Sequence, residues 1–301
     1  MLERLWANGL LWLNPMRKRP HLRLVLITLV ALASLVLAVT AVLRHEPRLE
    51  GKTTREWIYL LDPHINHRAQ HDHASEVISR IGPPAVPVIR DILSEPKSPW
   101  LQKLKILAQR YRILEHDSVP IADRQLRASR AAYKVAESGN TDISSLVPLL
   151  AFHLTNSSYS DVESGRALAG AGPNGISILT NLASDPNPRF RDRAIVSLQH
   201  ARSAPGVFET YLRASSDPEQ NIRFSALSSL ARYPKAEPNL LIPLALERIQ
   251  STNDYDRWAA VQILSTFSFD SRARPALTNA LVDSNATVRS IATRTLNASR
   301  R

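Results

Sequence analysis

The chain has 301 residues, 44% of them hydrophobic, no cysteine, and a formal charge of +11. Lack of cysteine excludes a disulfide framework, a thiolate nucleophile and a thiolate zinc site. Residues 1–55 hold nine Lys/Arg against three Asp/Glu and the rest hold 29 against 24, so the body carries only +5, a weak signal for binding a phosphate backbone. Aromatics are only 6% and alternating Val, Ile, Thr or Tyr runs are scarce, so the chain reads as all-α.

Residues 1–23 form a basic tail, expected on the cytoplasmic side, whose Leu2, Leu5, Trp6, Leu10, Trp12 and Leu13 suit an amphipathic helix at a membrane surface. Residues 24–43, LVLITLVALASLVLAVTAVL, carry no charge. At 1.5 Å per residue such a run crosses a hydrocarbon layer of roughly 30 Å, so a transmembrane helix is expected. Arg17, Lys18, Arg19 and Arg23 precede it, which puts the N-terminus in the cytoplasm and the remainder in the periplasm or beyond. The alternative is export after signal cleavage, for which Val39 and Ala41 supply small residues at minus three and minus one.

A linker and a Trp-containing segment follow over 44–69. His64, His67, His71 and His73 then crowd into ten residues beside Asp62 and Asp72. On a helix His67 and His71 stand one turn apart and could share a zinc or nickel ion. Pro63 opposes a helix through this stretch, and a polar loop explains the composition without metal, so no metal or cofactor is assigned.

From residue 70 to 301 one pattern recurs. Phe190-Arg191 with Ala194 and Leu198 is repeated by Ile222-Arg223 with Ala226 and Leu230, by Asp256-Arg257 with Ala260 and Leu264, and by Val288-Arg289 with Ala292 and Leu296. The first apolar residue, the alanine and the leucine lie at i, i+4 and i+8, one stripe of a helix, with Asp256 the exception. Asp185, Asp217 and Asp283, six residues before an arginine, suit a turn or a helix N-cap. Ala74, Ala128, Ala132 and Ala167 extend the alanine position upstream, and the region 97–160 departs most. A second helix in each unit is expected to open on Pro87, Pro148, Pro205, Pro243 or Pro275, because proline is at home in a first helical turn. Helix pairs of this size bury a core only by stacking.

These units resemble HEAT repeats of the short bacterial kind, whose first helix carries apolar-Arg-x-x-Ala-x-x-x-Leu and whose end reads like IGPPAVPVI, here 81–89; the resemblance covers about 70–298. RLEGKTTREWIYLLD, with Gly51 and Trp57, looks like the cap before such repeats in membrane-anchored or exported proteins. TPR and ankyrin signatures are absent. The resemblance implies an α-solenoid that binds other macromolecules through its concave, second-helix surface and implies no chemistry by default; about six helix pairs that bind proteins without catalysis are expected here. It also implies that the repeated arginine pairs with an aspartate of the neighbouring unit, here Asp185, Asp217 or Asp283. A nucleic-acid binder or a DNA glycosylase-like enzyme is the alternative, since alkylpurine glycosylases are also built of HEAT-like repeats, and a lyase or a metal-dependent hydroxylase of the HEAT-containing kind is a third. No Gly-x-Ser-x-Gly, His-Glu-x-x-His or phosphate-cradling loop occurs, so no catalytic residue is assigned. GAGPNG, 170–175, reads as a turn between helices, and Trp57, Trp100 and Trp258 as core residues at helix starts.

Overall fold

A computed structural model describes residues 46–61, 68–95, 120–139, 141–156, 162–233 and 237–299. The tail 1–23, the expected span 24–43, and His64, His67 and Trp100 lie outside the described residues. Among the described residues no helix is long and apolar enough to cross a membrane. The chain divides into two compact units, Met1–Pro47 and Arg48–Arg301, and every described helix falls in the second.

That unit opens on a hairpin, β1 (Arg48–Leu49) against β2 (Lys52–Thr53). Glu50 and Gly51 turn it with φ of 53° and 80°, the left-handed pair that a tight two-residue hairpin loop requires. Glu50 is held there by its carboxylate, 2.8 Å from both His73 Nε2 and Arg80 Nη1. Thr53 begins α1 (Thr54–Tyr59) with a reciprocal capping box: its hydroxyl accepts from the Glu56 N–H, and Glu56 accepts from the Thr53 N–H. Buried Trp57 donates from Nε1 to the Leu49 carbonyl at 2.8 Å and so ties helix to hairpin.

Helix pairs follow: α2 (Arg68–Ile81) with α3 (Ala85–Leu93), α4 (Ile121–Glu137) with α5 (Val147–Asn156), α6 (Val162–Gly170) with α7 (Pro173–Leu182), α8 (Pro188–Leu198) with α9 (Val207–Ala214), α10 (Gln220–Leu230) with α11 (Pro238–Arg248), and α12 (Asp254–Thr266) with α13 (Ala273–Asn279). A last first-type helix, α14 (Ala286–Ala298), closes the described residues. Each first helix packs on the first helix of the next pair, so that α2, α4, α6, α8, α10, α12 and α14 form one layer and the second helices the other. The protein is an all-α solenoid.

The alanine position explains the layer. Ala74, Ala132, Ala167, Ala194, Ala226, Ala260 and Ala292, one on each first helix, are all completely buried. A methyl group there lets neighbouring helices approach, and a larger side chain would overpack the seam at a cost of about 1–3 kcal/mol. Room is short between α6 and α8, where a Cβ on Gly165 would run into Ser197 Oγ and stand 2.8 Å from Ser197 Cβ.

One pair of sequence alternatives, turn or N-cap, is decided for the turn, and one expectation is corrected. The aspartates six residues before the arginines are not N-caps; Asn187, Asn253 and Asn285 cap α8, α12 and α14 through their side-chain oxygens, and Glu219 occupies that position in α10 without a side-chain bond. The aspartates instead close the preceding turn, each accepting the N–H two residues on: Asp185 from Asn187 at 2.8 Å, Asp217 from Glu219 at 2.9 Å, Asp283 from Asn285 at 2.7 Å. Nor do all five prolines open a helix. Pro87, Pro148 and Pro275 fall in first turns, but Pro205 precedes α9, which starts after left-handed Gly206 (φ 79°), and Pro243 lies inside α11 because Pro238 already occupies its first position. Of the stretch 170–175 only Ala171 and Gly172 form the expected turn between α6 and α7; Gly170 ends the first helix and Pro173 opens the second.

Candidate interaction surface

The repeated arginines are positioned by their own turns. In every C-terminal unit Nη1 donates to the two carbonyls six and five residues upstream. For Arg191 these are Asp185 and Pro186 (3.0 and 3.1 Å), and for Arg223 they are Asp217 and Pro218 (2.8 and 3.1 Å). For Arg257 they are Ser251 and Thr252 (both 3.1 Å), and for Arg289 Asp283 and Ser284 (2.6 and 2.8 Å). The fork thus fixed faces the next unit. Arg191 Nε and Nη2 meet the two oxygens of Asp217 at 2.7 and 3.0 Å, and Arg257 meets Asp283 at 2.9 and 3.1 Å. Between them Arg223 Nε meets Asp256 at 3.2 and 3.3 Å.

Asp256, the exception in the apolar stripe, is thereby explained. Position 251, where the pattern has its aspartate, holds serine; its hydroxyl still closes the turn by accepting the Asn253 N–H, and it donates to Asp256 at 3.1 Å. One aspartate's two tasks are divided between Ser251 and Asp256. These acids are almost wholly covered, 4–11% exposed, against arginines at 11–15%. Such pairs fix register between units more than they add stability, because desolvation offsets much of the attraction. Burial opposes ionisation of Asp217, but its bonds from Arg191 and the Glu219 N–H prevail and its carboxyl titrates below the ordinary aspartate value. Arg257 holds the Asp283 carboxyl low in the same way.

Upstream the arginine position is occupied otherwise. Counting three residues back from Ala74, Ala132 and Ala167 gives His71, Ser129 and Ser164. Ser129 and Ser164 bond to each other at 2.8 Å, buried between α4 and α6. The charge in this half sits elsewhere: buried Glu163 takes Arg130 at 2.9 Å and Arg166 at 3.2 Å. Since the three paired forks are filled by carboxylates, they are not available to phosphate groups.

The second-helix layer has a different character. Its exposed charges are balanced, with Arg90, Arg213 and Arg274 against Asp91, Glu209 and Glu247 among the described residues. Exposed apolar groups interrupt it: Phe152 (55% exposed) on α5, Leu240 (47%) on α11, and Pro87, Pro148, Pro243 and Pro275. A cleft of about 430 Å³ between α11 and α13 is lined by Leu246, Ile249, Gln250, Arg272, Pro275 and Asn279. On the first layer a cleft of about 340 Å³ is lined by Asp254, Tyr255, Trp258, Asn285 and Thr287. Trp258 is half-buried and stacks on Phe224 of the preceding unit at 4.7 Å, while Tyr255 meets the same ring edge-on at 5.5 Å. That inter-unit aromatic contact escaped the sequence reading, although Phe224 and Trp258 each directly follow a repeated arginine.

Of the histidine cluster, His71 and His73 are described, both on α2. His71 Nδ1 lies 3.4 Å from Asp72 and its Nε2 3.3 Å from the Arg130 guanidinium, a poor neighbour for a cation, and His73 faces Glu50. Among the described residues no three His, Asp or Glu side chains converge on a metal position.

No protein-family model and no curated protein matches the sequence. Solved structures do. Two engineered proteins align over 82% of this chain, one at 17% identity over 68% of its own length and one at 15% over 96%, both with a TM-score of 0.41. A designed armadillo repeat protein in complex with the peptide (KR)4 aligns over 82% of this chain and 99% of its own, at 15% identity and a TM-score of 0.30.

Proposed function

We propose that the protein is a membrane-anchored, non-catalytic scaffold of the HEAT type that binds other proteins through its second-helix layer. The observation that carries this reading is that layer's surface: exposed Phe152 and Leu240 among exposed prolines, with three basic and three acidic groups in balance. A surface of this kind offers apolar anchors to a protein and no field to a polyanion. The filled arginine forks further support it. The uncharged run 24–43 serves as the anchor, with the repeats outside the cytoplasm.

The test is site-specific photocrosslinking in native membranes from positions 152 and 240, with exposed Glu76 and Asn221 on the other layer as controls. Protein adducts from the first two positions and not from the controls are expected. Equal labelling at all four, or adducts to nucleic acid, would remove the reading. A topology reporter fused after Arg301 checks the anchor separately: activity restricted to the cytoplasm overturns the extracytoplasmic placement.

A further inference from the structure

The cleft on the first-helix layer owes its existence to residue size. The residue that follows the repeated arginine is Phe224 on α10, Trp258 on α12 and Ser290 on α14. Phe224 and Trp258 fill the joint between α10 and α12, stacked at 4.7 Å with their planes 17° apart. At the next joint a serine stands where a third ring would, and about 340 Å³ lies open beside Trp258, with Asp254 and Tyr255 of the α12 unit on one side and Asn285 and Thr287 of the α14 unit on the other. Both walls belong to described units. That volume is at the small end of ligand pockets, which run from about 300 to 1,000 Å³.

The walls combine one fixed negative charge with a flat aromatic surface. Asp254 is the only charged residue in the lining, and its side chain is 53% exposed. Its Oδ2 accepts from Asn285 Nδ2 at 3.1 Å, and its Oδ1 accepts at 2.6 Å from Nη2 of Arg257, a member of the relay of arginine–aspartate pairs that links unit to unit. The Asn285 amide and the Arg257 guanidinium hold its carboxyl below the ordinary aspartate value, so the charge is permanent at neutral pH. Each oxygen keeps acceptor capacity for one more donor. Tyr255 and Thr287 commit their backbone N–H groups to the caps Asn253 and Asn285, and among the described residues their hydroxyls remain able to accept. The same caps take the N–H groups of Asp256 and Val288, which leaves few backbone donors for an anion at these two helix starts.

A guanidinium group answers these walls together: its face stacks on an indole, and its edge carries N–H donors for a carboxylate and two hydroxyls. A quaternary ammonium, without an N–H, would leave the acceptors unmet. Tyr255 is the one large hydrophobic side chain exposed on a first helix among the described residues, so the surrounding face offers a protein no further anchor. That favours a small occupant.

We propose that the cleft between α12 and α14 binds a small guanidinium compound, stacked on Trp258 and paired with Asp254. An occupant there touches two consecutive units and ties them together. The site is separate from the second-helix layer, and its failure leaves the protein-binding reading to its own test.

The experiment titrates ethylguanidinium into the full chain in detergent micelles and follows the indole N–H resonance of Trp258 by NMR, identified by its loss in Trp258→Phe. A saturable shift is expected, with tetramethylammonium and sulfate each at least about tenfold weaker. Asp254→Asn, which removes the charge and keeps the shape, is expected to weaken ethylguanidinium about tenfold, the loss of one charge-assisted contact. Tyr255→Ala, at an exposed position, is expected to weaken it several-fold; should Asp254→Asn alter the circular dichroism spectrum, Tyr255→Ala decides alone. No saturable shift up to about 10 mM overturns the proposal. So does tetramethylammonium or sulfate matching ethylguanidinium, or unchanged affinity in the deciding variants. A Gly-Arg-Gly peptide binding more than about tenfold tighter than ethylguanidinium also overturns it, by assigning the cleft to a protein's arginine.

Discussion

Moving the acid that Arg223 uses from helix to turn is a decisive test of how the units are joined. Asp256→Val removes a carboxylate that is 4% exposed and leaves Arg223, 15% exposed, with its two carbonyl bonds. Breaking a buried pair from one side costs about 3–5 kcal/mol; the arginine's partial exposure and its 3.2–3.3 Å contacts lower that to about 2 kcal/mol net, since valine also suits the apolar stripe. Ser251→Asp alone sets a second carboxylate near Asp256 and is expected to destabilise by about 1 kcal/mol. Combining the two restores the arrangement of Asp217 and Asp283, so the double variant is expected within about 0.5 kcal/mol of the parent, a coupling of about 2–3 kcal/mol. Hydrogen exchange of the α10 and α12 amides in the full chain reads the local unit, which repeat arrays unfold semi-independently. If the double variant is no more stable than Asp256→Val alone, the two positions are not interchangeable and the relay is misread.

Gly165→Ala sets a Cβ against Ser197, and overpacking of about 1–3 kcal/mol exceeds the roughly 0.5–1 kcal/mol of helix propensity gained, so a lower urea midpoint with unchanged m-value is expected. Pro243→Ala returns the N–H that the Asn239 carbonyl lacks inside α11, and a gain of about 1–2 kcal/mol, seen as a raised Tm, is expected. Acid weakens the relay with a definite sign. The folded pKa values of Asp217 and Asp283 lie below the unfolded value of 3.8, so their contribution is complete above 3.8 and is lost as pH falls below it through the folded values. Carboxyl NMR titration should place Asp283 below 3.8, and in Arg257→Gln should move it upward; a fixed Asp283 titration would contradict the assignment.

The stripe and its stacking were legible because buried contact imposes a period on the sequence: each of the eight alanines singled out there is fully covered. The arginine pairing was foreshadowed through the HEAT resemblance, and Asp217 and Asp283 took their places. Asp256 was not, because its role depends on Ser251 keeping the turn, a compensation across five residues that a pattern match scores as two mismatches. Asparagine caps were overlooked beside aspartates two residues earlier, since both residue types serve caps and turns and only backbone geometry separates them. The interaction surface was the least legible part. Exposure of Phe152 or Leu240 depends on which neighbours fail to cover them, and no periodicity records that.

A unit with its arginine turned forward and its aspartate turned backward is a self-compatible brick. Copying one such unit beside itself, anywhere from α8 to α14, supplies every new joint with both halves of its clasp, so lengthening the protein there asks nothing of the neighbours. Between α4 and α6 the joint is two hydroxyls, each matched to the other, and a copy inserted from the C-terminal half would bring an arginine with no acid to receive it. Growth by duplication is therefore easy at one end of this molecule and obstructed at the other.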